Sequence, residues 1–90
     1  MGTYLITFEI RSGRLQEFLQ RLKKFGSYCP MNSDCWIIIS PLSAVEILED
    51  LENYTIPTTD KLFVLKTGSE AAWSGIYDEA WHTWLKNNLV

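Results

Sequence analysis

The sequence predicts an α+β fold in which two helices cover one face of a four-stranded antiparallel sheet. Four short segments of apolar residues, alternating or continuous, are typical of strands. Two longer segments repeat their apolar residues every three or four positions, which is typical of amphipathic helices. Along the chain the order is strand, helix, strand, strand, helix, strand, with a further helical segment at the end.

The first strand is predicted at residues 4–10, where aromatic and β-branched side chains occupy the even positions. Leu5, Thr7 and Glu9 occupy the odd positions and point to the opposite face, because successive side chains of a strand alternate. Both faces carry apolar groups. We therefore expect a central strand that is covered on both sides.

The first helix is predicted from Leu15 to Phe25, with lysines in its last turn where they complement the helix dipole. Ser12 precedes this segment and is the predicted N-cap, and Gly26 follows it as a stop. A polar break at residues 11–13 therefore separates the first strand from the first helix.

The next two strands, residues 28–31 and 35–39, are predicted to form a hairpin around the turn at 32–34. Pro30 has no backbone N–H to donate to a neighbouring strand. The strand that contains it is therefore predicted at an edge of the sheet. Residues 35–39 are apolar on both faces and belong inside the sheet.

The second helix is predicted to begin after Ser43, because Ser43 and Glu46 have the spacing of a capping box. It extends to Leu51 and is followed by a loop at residues 53–60. Residues 61–66 form the fourth predicted strand, which is apolar on both faces and has a lysine at each end.

This βαββαβ order is that of the ferredoxin-like fold, which places the strands in the order 4-1-3-2 with both helices on one face. We expect residues 1–90 to form a single domain, with 67–90 as a C-terminal helical extension. The other sheet face is also apolar. An apolar face of this size is usually an interface, so the extension or a second copy of the chain should cover it.

The C-terminal extension contains three tryptophans, which we interpret as packing residues rather than as platforms for stacking bases. The apolar face of its helix is predicted to include Tyr77 and Leu85, whereas His82, the only histidine, is predicted to be exposed and has no evident base or acid partner. The residues predicted at a homodimer interface are Leu5, Thr7, Trp73, Trp81 and Trp84.

Composition limits the possible functions. The 90 residues carry a formal net charge of −3, which provides no long-range attraction to nucleic acid or to anionic membranes. No apolar run approaches the roughly 20 residues of a membrane span, so we expect a cytoplasmic protein without a membrane partner. The spacing of Cys29 and Cys35 fits neither a zinc motif nor a dithiol motif, and both are predicted to be reduced, buried residues.

Five segments carry a resemblance to a known family: residues 4–10, 22–26, 61–66, 71–75 and 84–89. The most distinctive is Ala-Ala-Trp-Ser-Gly at 71–75, and the resemblance extends over nearly the whole length of the chain. Through them the chain resembles the CRISPR-associated protein 2 superfamily, in particular its SinR-like branch outside CRISPR loci, and more distantly the VapD toxins. The resemblance implies a ferredoxin-like homodimer whose sheets face each other and whose C-terminal segments reach onto the partner.

Glu9 is the candidate catalytic residue that this resemblance implies. In the CRISPR proteins an aspartate from each subunit ends the first strand, and the pair is proposed to hold a divalent metal for phosphodiester hydrolysis. Glu9 has this position here and could bind Mg²⁺. The alternative is an ion pair at the rim, in which Glu9 meets Arg11, Arg14 or Lys66.

Three functions remain open. The first is a homodimeric interaction module that binds a protein, or nucleic acid through a partner. The second is a magnesium-dependent ribonuclease or deoxyribonuclease that uses Glu9 from both subunits; we rank it lower because a glutamate replaces the family's aspartate. The third is an acidic regulator that occupies the nucleic-acid site of another protein, for which the net charge is the only indication.

Overall fold

The computed structural model describes residues 1–68, 70–75 and 78–89. Within these ranges the chain forms four strands, three α-helices and two short 3-10 helices. The strands are β1 Gly2–Glu9, β2 Ser27–Asn32, β3 Cys35–Ser40 and β4 Lys61–Lys66. The α-helices are α1 Leu15–Leu22, α2 Ala44–Leu51 and α3 Glu79–Leu89; the 3-10 helices, Lys23–Phe25 and Glu52–Tyr54, extend α1 and α2.

The four strands form one sheet in the order β2-β3-β1-β4, with antiparallel neighbours throughout. Read from the β4 edge, this is the predicted order 4-1-3-2. The strand β2, which contains Pro30, lies at the other edge as predicted, and its register with β3 is irregular between Pro30 and Asn32. In the centre of the sheet, Thr7 of β1 pairs with Cys35 on one side and with Phe63 on the other.

Helices α1 and α2 pack against the same face of the sheet, where they bury what we call the helix-side core. Its fully buried helical residues are Phe18 and Leu22 of α1 and Ile47 and Leu51 of α2. The strands contribute Tyr4, Ile6, Phe8, Trp36 and Ile38. Even positions of β1 therefore face the helices, in agreement with the predicted alternation.

Helix α3 packs on the opposite face, over β2 and β3 of its own chain. There Leu85 is buried with Cys29 and Ile37, and we call this group the α3 cluster. The partly buried residues around it are Leu5, Met31, Trp73, Trp81, Trp84 and Leu89. Of the two covers that the sequence left open, the C-terminal extension therefore covers this half of the face. The predicted position of Tyr77 lies outside the described residues.

Side chains of α3 also contact the edge strand β2. Trp84 Nε1 donates a hydrogen bond of 2.6 Å to Ser27 Oγ, and the ring centres of Trp81 and Tyr28 are 6.1 Å apart. These contacts place α3 beside the edge that Pro30 already interrupts. None of the helices that the structure describes is long and apolar enough to span a bilayer.

The predicted cap of α1 is wrong, whereas that of α2 is confirmed. Arg14, not Ser12, is the N-cap of α1, and its side chain makes no capping hydrogen bond. At α2, Ser43 Oγ accepts from the backbone N–H of Glu46 at 3.1 Å, and Glu46 Oε1 accepts from the N–H of Ser43 at 3.0 Å. The helix α2 thus has the complete capping box that the sequence predicts.

Both cysteines are free, as predicted. Cys29 is buried in the α3 cluster, whereas Cys35 is only partly buried at the start of β3. Burial raises the pKa of both thiols above its ordinary value and so disfavours the reactive thiolate form.

Candidate functional site

A groove of about 550 Å³ lies where β1 ends and β4 begins. The residues that line it are Thr7, Phe8 and Glu9 of β1, Lys61, Leu62 and Phe63 of β4, and Asp34 of the β2–β3 turn. The backbone N–H of Phe8 donates to the carbonyl oxygen of Asp34 at 3.0 Å, which holds this turn against β1. The candidate residue Glu9 therefore lies in a concave site between two other charged residues.

Glu9 forms the ion pair with Arg11 that the sequence offered as one alternative. Arg11 Nε lies 3.1 Å from Glu9 Oε2, and Arg11 Nη2 donates to Glu9 Oε1 at 3.3 Å. The other two candidates lie elsewhere: Arg14 pairs with Glu17, and Lys66 extends from the helix-side face of β4. Both side chains of the Glu9–Arg11 pair are substantially exposed, so it contributes only about 0–1 kcal/mol.

The groove carries both signs of charge. Lys61 lies directly opposite Glu9 in the pairing of β1 with β4, and Asp34 lies on the other side of the β1 end. In the ranges that the structure describes, neither Lys61 nor Asp34 takes part in an ion pair. The groove therefore has a cation and an anion that can each bind an opposite charge from outside the chain.

In the part of a single chain that the structure describes, Glu9 does not belong to a cluster of metal ligands. Among the described residues, no three histidine, cysteine, aspartate or glutamate side chains cluster in a way that could hold a metal ion. The carboxylate of Glu9 is instead engaged by Arg11. Magnesium binding at this position therefore depends on the second Glu9 that the resemblance implies, contributed by a partner subunit.

Asp60, immediately before β4, is a buried carboxylate to which the sequence analysis gave no role. Its Oδ1 accepts from the backbone N–H of Arg11 at 2.7 Å and of Ser12 at 2.9 Å. Its Oδ2 accepts from Ser12 Oγ at 2.6 Å and from the N–H of Ile56 at 2.8 Å. Asp60 thus fastens the β1–α1 loop to the α2–β4 loop, beside the groove.

These hydrogen bonds set the ionisation of Asp60. Burial disfavours the charged form, but the hydrogen bonds from Ser12 Oγ and from three backbone N–H groups outweigh it and hold the pKa of Asp60 well below its usual range. The sequence contains no local sign of this role. Its donors at Arg11 and Ser12 are 49 and 48 positions away, respectively, and an aspartate after two threonines is ordinary loop composition.

Helix α3 leaves the β1–β4 part of its sheet face open, and we call this part the uncovered half-face. It consists of Thr7 of β1 with Phe63 and Leu65 of β4, and Leu5, which pairs with Leu65 and also packs against the α3 cluster, forms its border. Phe63 is 57% exposed and Leu65 is 48% exposed. The half-face adjoins the groove through Thr7 and Phe63, which belong to both.

The residues predicted at a homodimer interface divide between two places. Thr7 lies on the uncovered half-face and Leu5 lies at its border with the α3 cluster, whereas Trp73, Trp81 and Trp84 pack around that cluster in their own chain. His82 is exposed, as predicted. Trp73 Nε1 donates to His82 Nδ1 at 3.2 Å, so the Trp73 side chain is fixed partly by α3.

A comparison with models of known protein families found no match, and a comparison with curated proteins also found none. The resemblance to the CRISPR-associated protein 2 superfamily therefore stays a prediction. The groove and the uncovered half-face are the features of this molecule from which a function can be inferred.

Proposed function

We propose that the protein is a homodimeric interaction module with a ferredoxin-like fold, and that its two copies meet through the uncovered half-face. The strand order and the placement of α1 and α2 on one face support this topology. The observation that carries the dimer is the exposure of Phe63 and Leu65, which are adjacent on one side of β4. Contiguous exposed apolar side chains of this size usually belong to an interface.

The free energy available from these side chains can be compared with the cost of association. Complete burial of an exposed Phe or Leu contributes about 1.5–3 kcal/mol. Phe63 and Leu65 are each about half exposed. A two-fold dimer counts each of them twice, which yields about 3–6 kcal/mol. Association costs about 4–15 kcal/mol, so the dimer also needs contacts from Leu5, Thr7 and the groove.

Sedimentation velocity over micromolar to submillimolar concentrations tests the proposal. We expect the wild type to be dimeric and Phe63→Asp to be monomeric, because the substitution places a charge in an apolar interface. Val45→Asp is the matched control, since Val45 is 62% exposed on α2, away from the half-face. A monomeric wild type, or equal dissociation by both variants, would reject the proposed interface.

The groove supports a second candidate, a magnesium-dependent phosphodiesterase that acts on RNA or DNA. Glu9 lies in the groove that adjoins the half-face, so dimerisation there brings the Glu9 carboxylates of the two subunits toward each other. Carboxylate oxygens are suitable ligands for Mg²⁺. The proposal depends on the dimer, because it requires a Glu9 carboxylate from each subunit and the described residues of one chain form no cluster of three such ligands.

Cleavage assays with and without Mg²⁺ test this candidate. Glu9→Gln keeps the shape of the side chain and removes its charge, and it should abolish cleavage. Glu17→Gln is the control, because Glu17 also pairs with an arginine on the surface but lies on α1. Equal cleavage by the wild type and Glu9→Gln would rule out a catalytic role for Glu9.

A further inference from the structure

We propose that the two-fold axis of the dimer runs parallel to the strands, between β1 and β4, so that Lys61 of each copy pairs with Glu9 of the partner subunit. This inference rests on the proposed homodimer and adds the position of its axis and the charge pairs that define it. A second copy of this chain is thus the occupant of the uncovered half-face.

The position of α3 restricts where a second sheet can approach. Leu85 of α3 lies on Cys29 of β2 and Ile37 of β3, and the partly buried tryptophans surround them. A facing sheet cannot contact this half without displacing α3. The accessible half is therefore the one formed by β1 and β4, and the axis must pass over it.

The register of β1 and β4 makes this half self-complementary. In it Glu9 pairs with Lys61, Thr7 with Phe63 and Leu5 with Leu65. An axis parallel to the strands and midway between them places β4 of one copy over β1 of the other at the same level. Each residue then faces the partner's copy of its own neighbour, because an isologous interface uses one patch twice.

The resulting contacts match in character. Phe63 lies over the partner's Thr7, and Leu65 lies over the partner's Leu5. At the groove end, Lys61 lies over the partner's Glu9. By symmetry Glu9 lies over the partner's Lys61, so the interface contains two pairs of opposite charges. Facing sheets pack about 10 Å apart with nearly aligned strands, which long side chains such as lysine and glutamate can span.

An axis in the same plane but perpendicular to the strands gives a poorer match. It reverses the strand direction and brings Lys61 toward Thr67 of the partner subunit, at the far end of β4. Lys61 and Glu9 would then lie against neutral residues. With the parallel axis each of these charges gains an opposite charge of the partner subunit, in addition to its neighbours in its own chain. That gain offsets more of the cost of removing the charges from water, so the parallel axis is favoured.

A charge-reversal cycle tests the axis, with the dimer dissociation constant measured by sedimentation equilibrium at low salt. We expect Lys61→Glu to raise this constant about tenfold or more, because it opposes two carboxylates at each of two contacts. The double variant Lys61→Glu/Glu9→Lys should return it close to the wild-type value. Lys66→Glu is the control, because it changes the net charge by the same amount. Lys66 pairs with Tyr4 on the helix-side face, away from the proposed interface, so this variant should have little effect on the dissociation constant.

The outcomes separate this inference from the proposed function. A wild type that stays monomeric overturns both. If Phe63→Asp disrupts the dimer but Lys61→Glu and Lys66→Glu weaken it equally, the proposed axis is wrong and the proposed interface stands. If Lys61→Glu weakens the dimer and the double variant does not restore its dissociation constant, the proposed pairing of Lys61 with the partner's Glu9 is wrong. Circular dichroism checks that each variant is folded; if Lys61→Glu is not, Lys61→Gln should weaken the dimer by a smaller factor.

Discussion

Replacing Leu85 with alanine should release α3 from the sheet while the helix-side core stays folded. Leu85 is 1% exposed and is the buried residue among those of α3 that the structure describes. The helix-side core contains no described residue of α3. The substitution should therefore reduce the free energy of docking α3 on the sheet and leave the packing of α1 and α2 unchanged.

The size of the effect follows from this burial. Truncation of a buried leucine to alanine costs about 2–5 kcal/mol. Because each 1.4 kcal/mol changes an equilibrium constant tenfold, the undocked population should rise by about 30-fold to a few thousandfold. The remaining apolar contacts of α3 with the cluster come from Trp81, Trp84 and Leu89, which are only partly buried. These contacts stabilise the docked helix only weakly, so α3 should be undocked from the sheet for a measurable fraction of the time.

Hydrogen exchange resolved by segment is the assay. In Leu85→Ala the amides of residues 79–89 should exchange much faster than in the wild type, whereas those of β1 and β3 should change little. Leu51→Ala is the control, because Leu51 is fully buried in the helix-side core and its loss should accelerate exchange throughout the sheet. Two results would refute the idea that α3 docks independently of the helix-side core. One is that α3 of Leu85→Ala exchanges as slowly as in the wild type, and the other is that exchange in β1 accelerates as much as it does in Leu51→Ala.

Three further substitutions address the loops and helices. Asp60→Asn should lower the thermal midpoint at neutral pH. Since the pKa of Asp60 is lower in the folded state than in the unfolded state, the difference in midpoint between the wild type and the variant should shrink as the pH falls below about 4. A difference that stays constant with pH would contradict the role of the ionised carboxylate. Asp50→Asn should cost about 0.5–1 kcal/mol in denaturant unfolding, because Arg21 Nε donates to Asp50 Oδ1 at 2.7 Å in a partly exposed pair. That hydrogen bond lowers the pKa of Asp50, so this difference should also disappear on acidification, and its persistence would exclude the ion pair as its cause. Ser43→Ala should cost about 1 kcal/mol through loss of the capping box, and Ser33→Ala in the exposed β2–β3 turn should cost almost nothing.

Features that depend on neighbouring residues could be predicted from the sequence. The alternation in β1, the edge position of Pro30 and the capping box at Ser43 each depend on a few adjacent side chains and on the stereochemistry of the backbone. The pair of Glu9 with Arg11 belongs to the same group, since the two residues are separated by one position. For such features the local sequence contains the physical cause.

Features that depend on distant partners could not be predicted. Ser12 has the composition of an N-cap, but its hydroxyl donates to Asp60, and only the folded chain brings those loops together. The apolar face of α3 indicates that the helix packs, but not that it packs over β2 rather than on another subunit. The charges of the groove likewise become apparent only once β4 is aligned with β1, which sets Lys61 opposite Glu9.

The distribution of the four tryptophans has a consequence for spectroscopy. Trp36 is buried in the helix-side core and stacks on Tyr28 at 5.2 Å, whereas the other three surround the α3 cluster. Intrinsic fluorescence should therefore report mainly on the solvent exposure of that cluster, while far-ultraviolet circular dichroism reports on the sheet and on all three helices together. Unfolding curves recorded with the two signals should separate whenever α3 leaves first, and a single fluorescence midpoint would then measure helix release instead of the stability of the fold.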